Sequence, residues 1–344
     1  MLWKGAVWGR LVIFFRVITM EGKEELLERL KKAEGQWVSG EMLSGKMSMT
    51  RSAVWKHICK LREEGYEIKS SPRKGYFLHR IPDRLLPREI RSGLGTKAFG
   101  QGEIIHFFET DSTNSRAKEL AGRGIPEGTI ILAERQTGGR GRRGRSWFSP
   151  DGSGLYVSLI LRPQVVPAEA PKITLMTAVA VCDVLVRYLP SPPRVKWPND
   201  ILAGGRKIAG ILTEISTEPD AIDYVVVGLG LNVNVPARQF PKDIRDRATS
   251  ILVETGKTHS RAAILRSFLD NFEKSYALFR AGRFPLVLDR WRAYAGIPGQ
   301  YGRVDQAGRG LTGEIQDIDE DGSLLIRDDK GHLHRIVSGD VTYL

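Results

Sequence analysis

Residues 136–145 read Gln-Thr-Gly-Gly-Arg-Gly-Arg-Arg-Gly-Arg, four arginines and four glycines in ten positions. Glycines admit positive φ and close backbone approach, so successive N–H groups can turn toward one anion. Arginines keep their charge and bind carboxylate or phosphate through paired hydrogen bonds. Four like charges at this spacing repel one another unless an anion lies among them. The segment therefore predicts a loop that is mobile when empty and ordered by a phosphate-bearing ligand. The apolar runs Ile130-Ile131-Leu132-Ala133 before it and Gly154 to Leu161 after it read as strands. The loop thus belongs inside a folded domain, which weakens the alternative of an Arg/Gly-rich nucleic-acid-binding tail.

Two apparent nucleotide motifs fail on context. Gly139-Arg140-Gly141-Arg142-Arg143-Gly144 fits GxGxxG, but Arg145-Ser146-Trp147-Phe148 leads to Pro150-Asp151-Gly152 and another strand, with no helix to hold a pyrophosphate. Gly40 to Met47 fits GxxxxGK, but Met47 stands where a Ser or Thr hydroxyl must reach magnesium.

A chain of 344 residues, 41% hydrophobic and 27% charged, suggests two or three domains and excludes a wholly disordered or fibrous protein. The net charge of +12 favours anionic partners. Residues 1–80 hold 16 Lys and Arg against 9 Asp and Glu, so most of that excess is at one end. There Leu26, Leu27 and Leu30 share a helical face. Ser39 can cap a helix through Met47, and Thr50 one to about Glu64 with the stripe Val54, Ile58 and Leu61. Short strands follow around Ser70 to Lys74. This predicts a winged helix-turn-helix over 20–81. Arg51, Ser52, Lys56 and His57 are the candidates for base edges, and Arg73 and Lys74 for phosphates. A protein-interaction module is the alternative. Upstream, Leu11 to Phe15 is bracketed by Arg10 and Arg16, too short a run to span a bilayer. Residues 1–19 read as an extension from a mis-assigned start, Met20 being the natural one, with an interfacial helix as the alternative.

From about Ile104 to Phe284 strands and helices alternate. Val195 to Trp197, Ile208 to Ile215 and Tyr224 to Val235 read as further strands, and Ser115 to Arg123, Ala168 to Tyr188 and Ser260 to Arg280 as helices. The class is α+β, over 82–296. After Pro298, short strands with glycine turns suggest a small β-barrel over 297–344. Two distant cysteines, Cys59 and Cys182, form no disulfide framework, which points to a reducing cytoplasm. His332 and His334 read as a solvated edge pair, and no dedicated metal site is expected.

Three more clusters carry chemistry. Lys196-Trp197-Pro198-Asn199-Asp200 puts a lysine near a strand end, where it can neutralise charge on a reacting phosphate. Thr110 to Asn114 gathers hydroxyl and amide groups before a helix, more than capping requires. Asn232 and Asn234 would share one strand face, where a purine edge or a structural hydrogen bond would suit either.

These clusters, in this order, together with Lys207-Ile208-Ala209-Gly210-Ile211-Leu212, resemble the biotin–protein ligases. With the winged helix ahead and the barrel behind, the chain resembles the bifunctional form that is also a biotin-responsive repressor. The resemblance implies a class II synthetase-like mixed-sheet catalytic domain and an SH3-like C-terminal barrel. It implies biotinyl-5′-AMP formation from biotin and ATP with Mg²⁺, then transfer of biotin to a lysine of a biotin carboxyl carrier protein. It implies a biotin site of Ser112, Thr113, Asn114, Gln136, Arg140, Gly141, Arg142 and Lys196. Arg142, Arg145, Lys196, Asn199 and Asn232 would serve ATP, with Lys196 and Arg142 as the catalytic pair. Operator DNA and an adenylate-bound homodimer are the further implied partners, and no membrane. The rival readings are a ligase whose winged helix does not bind DNA, a ligand-sensing transcription factor without ligase activity, and a lipoate or octanoyl transferase of similar fold.

Overall fold

The computed structural model describes residues 22–217, 221–297, 299–306 and 309–344; the extension 1–19 lies outside them. The chain divides into two compact units, up to Asp83 and from Arg84 onward.

In the first unit, helix α1 (22–32) is followed by α2 (Gly40–Lys46), α3 (Arg51–Glu63) and a hairpin of β1 (Glu67–Ser71) and β2 (Gly75–Arg80). The expected caps are present: Ser39 Oγ accepts from the Glu41 and Met42 N–H groups, and Thr50 Oγ1 from that of Ala53. Leu26, Leu27, Leu30, Leu43, Val54, Ile58 and Leu61 form the core. Val38 bridges to Tyr76, adding a short third strand to the wing. The winged helix-turn-helix is therefore as expected, with one correction. His57 follows the buried stripe of α3 and points inward, so it is no base-edge candidate. Burial first, then Lys60 and Lys23, lowers its pKa, which keeps it neutral at pH 7.

The second unit is built on a seven-stranded mixed sheet in the order β3-β4-β5-β9-β8-β7-β6. Its strands are β3 (Ile104–Thr110), β4 (Ile130–Gln136), β5 (Gly154–Leu161), β6 (Arg194–Lys196), β7 (Asp200–Ala203), β8 (Arg206–Thr217) and β9 (Ile222–Asn232). Only β3 and β4 run parallel. Helices α6 (Ala170–Leu185), α8 (Arg261–Arg280) and α9 (Phe284–Ala295) belong to the larger core cluster, and α5 (Thr113–Gly122) to the smaller one with Ile131, Ile160 and Val226. Helices thus cover both faces, but α5 packs mainly on β4, β5 and β9, and the rest of its face is left for loops. Helices α4 (Pro87–Arg91), α7 (Ile251–Thr255) and α9 are additions to the expected elements.

The C-terminal strands β10 (Gln300–Gln306), β11 (Arg309–Ile318), β12 (Leu324–Asp328), β13 (Leu333–Ile336) and β14 (Asp340–Tyr343) form a five-stranded antiparallel sheet within this same unit. Its residues Val304, Ile315, Ile326 and Val341 join the core that α6 and α9 share. No described helix is long and apolar enough to cross a membrane.

A buried polar node ties the start of this unit to the sheet. Glu134 on β4 is 2% exposed and Arg261 on α8 fully buried, with Arg261 Nη2 2.8 Å from Glu134 Oε2. Glu134 Oε1 accepts from the Leu85 N–H at 2.7 Å and lies 3.1 Å from His106 Nε2. Burial alone would raise the Glu134 carboxyl pKa. The His106 hydrogen bond, the Arg261 charge and the Leu85 N–H outweigh it and hold the group at about 2.

Candidate active site

The uncovered face holds a cavity floored by glycine. Gly210 on β8 pairs with Gly230 on β9, and Gly228 lies two positions further along the same face. A Cβ at Gly228 would overlap the Asn114 amide, and one at Gly230 the Trp147 indole. Glycine here lets two side chains lie directly on backbone, one from α5 and one from the loop after β4.

The wall beside α5 is a hydrogen-bonded set. Gln136, at the end of β4, accepts through Oε1 from the Thr113 N–H at 2.8 Å and its hydroxyl at 3.2 Å. Its Nε2 donates to Ser149 Oγ at 2.9 Å. Ser158 Oγ lies 2.8 Å from Thr113 Oγ1 and 2.6 Å from Asn114 Oδ1. Asn114 Nδ2 donates to the Leu212 carbonyl and to Glu214. Asn114 therefore borders the cavity with its amide already engaged by protein, a positioning arrangement. Ser112 is different. It is the N-cap residue of α5, yet its hydroxyl makes no capping bond and faces the cavity. Trp147, which lines the opposite side, has a buried indole N–H with no partner among the described residues. A buried donor left unpaired costs about 1–3 kcal/mol, so it stands ready for an acceptor.

The Arg/Gly loop closes the open end. Arg140, Arg142 and Arg145 all line the cavity. The expected mutual repulsion is met by the protein itself. Asp340, opening β14, lies 2.5 Å from Arg145 Nη2, 3.3 Å from Arg143 Nη1 and 3.7 Å from Arg142 Nη1. Arg142 Nη1 also donates to Asn199 Oδ1 at 3.2 Å and to the Gly339 carbonyl at 3.3 Å. Burial lowers the Arg142 pKa, Arg143 and Arg145 adding to this and Asp340 and Asp200 opposing it. Asp340, Asn199 and the Gly339 carbonyl thus give the loop protein partners of its own.

The lysine differs from the one the sequence suggested. Lys196 ends β6, the outermost strand, in register with Asp200. It is not among the cavity's lining residues; Lys207 is. Strict alternation would put residues 207 and 210 on opposite faces of β8. The register shift between Ile201 and Leu202 breaks that alternation, and Lys207 folds over Gly210, its Cε 3.2 Å from where a Gly210 Cβ would stand. Lys207 Nζ sits 2.6 Å from Asp200 Oδ1 and 5.5 Å from the Trp147 ring centroid. Asn232 likewise does not line the cavity; its Nδ2 donates to the Thr249 carbonyl at 2.9 Å. Asn234 holds His259 through both ends of its amide, so the expected pair of asparagines secures the 249–259 segment.

Lys207, Asp200, Trp147 and Asp340 were therefore missing from the expected site. Lys207 stood within the quoted Lys207 to Leu212 motif, Asp200 closed the Lys196 to Asp200 cluster without being given a role, and Trp147 followed the Arg/Gly loop by two positions. The assembled cavity has neutral polar groups along one wall and cations at the other end, which suits a ligand with a polar head and an anionic tail.

Comparison with known proteins bears on such a ligand. Residues 107–232 match the Biotin/lipoate A/B protein ligase family, 23–77 an HTH domain and 303–342 the biotin protein ligase C-terminal domain. The class is thus a biotin/lipoate-type ligase with a helix-turn-helix at its N-terminal end. The chain is 39% identical over 319 residues to the bifunctional ligase/repressor BirA of Bacillus subtilis (strain 168), which spans 93% of this chain and 98% of that protein. It is 30% identical over 297 residues to BirA of Escherichia coli (strain K12), spanning 86% of this chain and 90% of that one. Among solved structures, the biotin protein ligase from Aquifex aeolicus in complex with biotin and ATP matches with a TM-score of 0.61 at 30% identity. That match covers 71% of this chain and 99% of that one. The chain belongs to the biotin protein ligase family.

Proposed function

We propose that this cavity joins the carboxylate of biotin to the α-phosphate of ATP and then passes the biotinyl group to a lysine of a carrier protein. In the first step a carboxylate oxygen attacks the α-phosphorus, and the bond to the β-phosphate oxygen breaks, releasing pyrophosphate. Two anions must meet, so the need is charge neutralisation and alignment rather than a strong base. The observation that carries the reading is the convergence of Lys207, Arg142 and Arg145 on one end of a glycine-floored cavity whose other wall is neutral and polar.

Ser112, Thr113 and Gln136 suit the ureido head of biotin, and Trp147 the thiophane ring and its neighbours. Lys207 replaces Lys196 as the group for the carboxylate and α-phosphate. Arg142 and Arg145 take the phosphates, with Arg140 and Gly141 covering the adenylate. Asn232, two positions beyond Gly230 on β9, lies outside this cavity with its Nδ2 on the Thr249 carbonyl, so an adenine contact from it would need the nucleotide to reach past the cavity wall. Asn199 and Asp200 offer oxygen donors of the kind that Mg²⁺ takes, and would hold the cation that accompanies the nucleotide. In the second step the acceptor amine attacks the activated carbonyl and AMP leaves with the electron pair.

The carrier we favour is a biotin carboxyl carrier protein such as that of acetyl-CoA carboxylase, the acceptor in the name of a similar ligase from Mycobacterium tuberculosis. The helix-turn-helix unit reads operator DNA, and adenylate-bound chains pair so that two wings meet a two-fold site. ATP use and the two free cysteines fit a cytoplasmic protein. The test is incorporation of labelled biotin into a carrier domain. Labelling that needs ATP and Mg²⁺ and stops when the acceptor lysine is replaced by arginine is the expected result. A carrier left unlabelled by folded protein would exclude the transfer step.

A further inference from the structure

The face of α3 opposite its buried stripe presents Arg51, Ser52, Trp55 and Lys56, all exposed. Trp55 is 56% exposed. A large indole is ordinarily among the more buried side chains, and leaving one in water forfeits apolar burial. Helix propensity does not call for it either, since tryptophan is only mid-scale. Among the described residues it has no ring, cation or hydrogen-bond partner. The wing's Trp37, by contrast, packs 5.5 Å from the Phe77 ring with Lys74 5.9 Å above it. An unpartnered indole on an otherwise polar helix face implies a partner outside the chain.

We propose that Trp55 is a sequence-reading residue whose ring meets the C5-methyl group of a thymine in the major groove. This deepens the DNA-binding reading above and rests on it. Charge complementarity favours DNA over a second protein chain as the occupant. Arg51 and Lys56 flank the ring, the wing adds Arg73 and Lys74, and residues 1–80 carry a large share of the chain's positive excess. Arg51 and Lys56 can reach base edges or phosphates through hydrogen bonds, so the apolar contact on this face falls to Trp55. Ser52 Oγ is held 2.9 Å from Thr50 Oγ1 at the helix cap. The thymine methyl is the apolar feature of base-pair edges in the major groove, which admits a helix.

The test selects a duplex from a random-sequence pool with the full wild-type chain, biotin and ATP. Thymines of the selected duplex are then replaced one at a time by deoxyuridine, which lacks only the methyl group. The wild type loses about fourfold in affinity at one or two positions, the worth of one buried methyl. Trp55→Ala, unchanged by circular dichroism, binds the parent duplex more weakly by a similar factor and is indifferent to those replacements. Its salt dependence, which reports phosphate contacts, matches that of the wild type. A wild type indifferent to every replacement, or a variant as sensitive as the wild type, overturns the role of Trp55 and leaves DNA binding standing. A change in self-association of Trp55→Ala without DNA assigns the ring to a protein interface and also overturns it. A wild type that selects no sequence overturns the DNA reading itself.

Discussion

Lys207 Nζ lies 2.6 Å from Asp200 Oδ1, reaching it across the β7–β8 hairpin although Asp200 is in register with Gly210. The carboxylate fixes where the ammonium sits, and the ammonium faces the cavity that the arginines close. Asp200→Asn keeps the shape and removes the charge that anchors Lys207. Losing an orienting partner of this kind costs about 10–100-fold in activity, by analogy with the groups that hydrogen-bond to metal-binding side chains. The adenylation rate should fall by that order with little change in the melting temperature. An unchanged rate would mean that Lys207 is held by other contacts.

Asp340 meets Arg142, Arg143 and Arg145 from the far end of the chain. Arg143 has φ 53, a left-handed conformation that a non-glycine residue holds only when its surroundings insist. With Asp340→Ala these three arginines lose their shared counter-charge. Limited trypsin digestion of the ligand-free variant should then cut after Arg142, Arg143 or Arg145 several times faster than in the wild type. Biotin with ATP should restore protection. Equal cleavage rates would show that the loop is ordered independently of β14.

Glu134 and Arg261 predict a stability change at acid pH. The folded carboxyl titrates at about 2 against an ordinary 4.5. A depressed carboxyl contributes its stability above the ordinary value and loses it as pH falls through the folded one. Unfolding free energy should therefore drop between about pH 4.5 and 2. Glu134→Gln removes the carboxylate beside buried Arg261, a loss of about 3–5 kcal/mol at neutral pH, and should flatten that acid slope. Denaturant titration across this pH range measures both. A variant as stable as the wild type would remove the node from the account.

Gly230 is needed for the space its hydrogen leaves. A Cβ there meets the Trp147 indole, so Gly230→Ala should displace that ring and weaken biotin binding at least tenfold. Isothermal titration with biotin checks this, with circular dichroism to confirm the fold. Wild-type affinity would show that Trp147 does not shape the pocket.

Much of this was legible in the sequence because it is local. Ser39, Thr50 and Ser260 cap the helices they precede, and the stripe Val54, Ile58, Leu61 is buried as its spacing requires. Thr113, Gln136, Arg140 and Arg142 converge because each sits at a strand end or in the loop that follows. The rest depends on relations that a linear reading does not carry. A bulge turns Lys207 toward the site, against the alternation that would send it away. Asp340 reaches the arginines through the packing of the C-terminal sheet, about two hundred positions downstream. His57 looked like a helix-surface residue because one turn of α3 carries both exposed Lys56 and buried Ile58. Strand β7, four residues long, was too short to register as a period-two pattern.

The proposed role of Lys207 in the reacting site stands or falls on biotin-dependent exchange of labelled pyrophosphate into ATP, measured in parallel on wild type, Lys207→Ala and Lys196→Ala. Loss of a preorganised charge at a developing anion costs about 100- to 1,000-fold. Lys207→Ala should lose exchange by that factor while Lys196→Ala stays within a few-fold of the wild type. Collapse in Lys196→Ala with exchange retained in Lys207→Ala would return the role to Lys196.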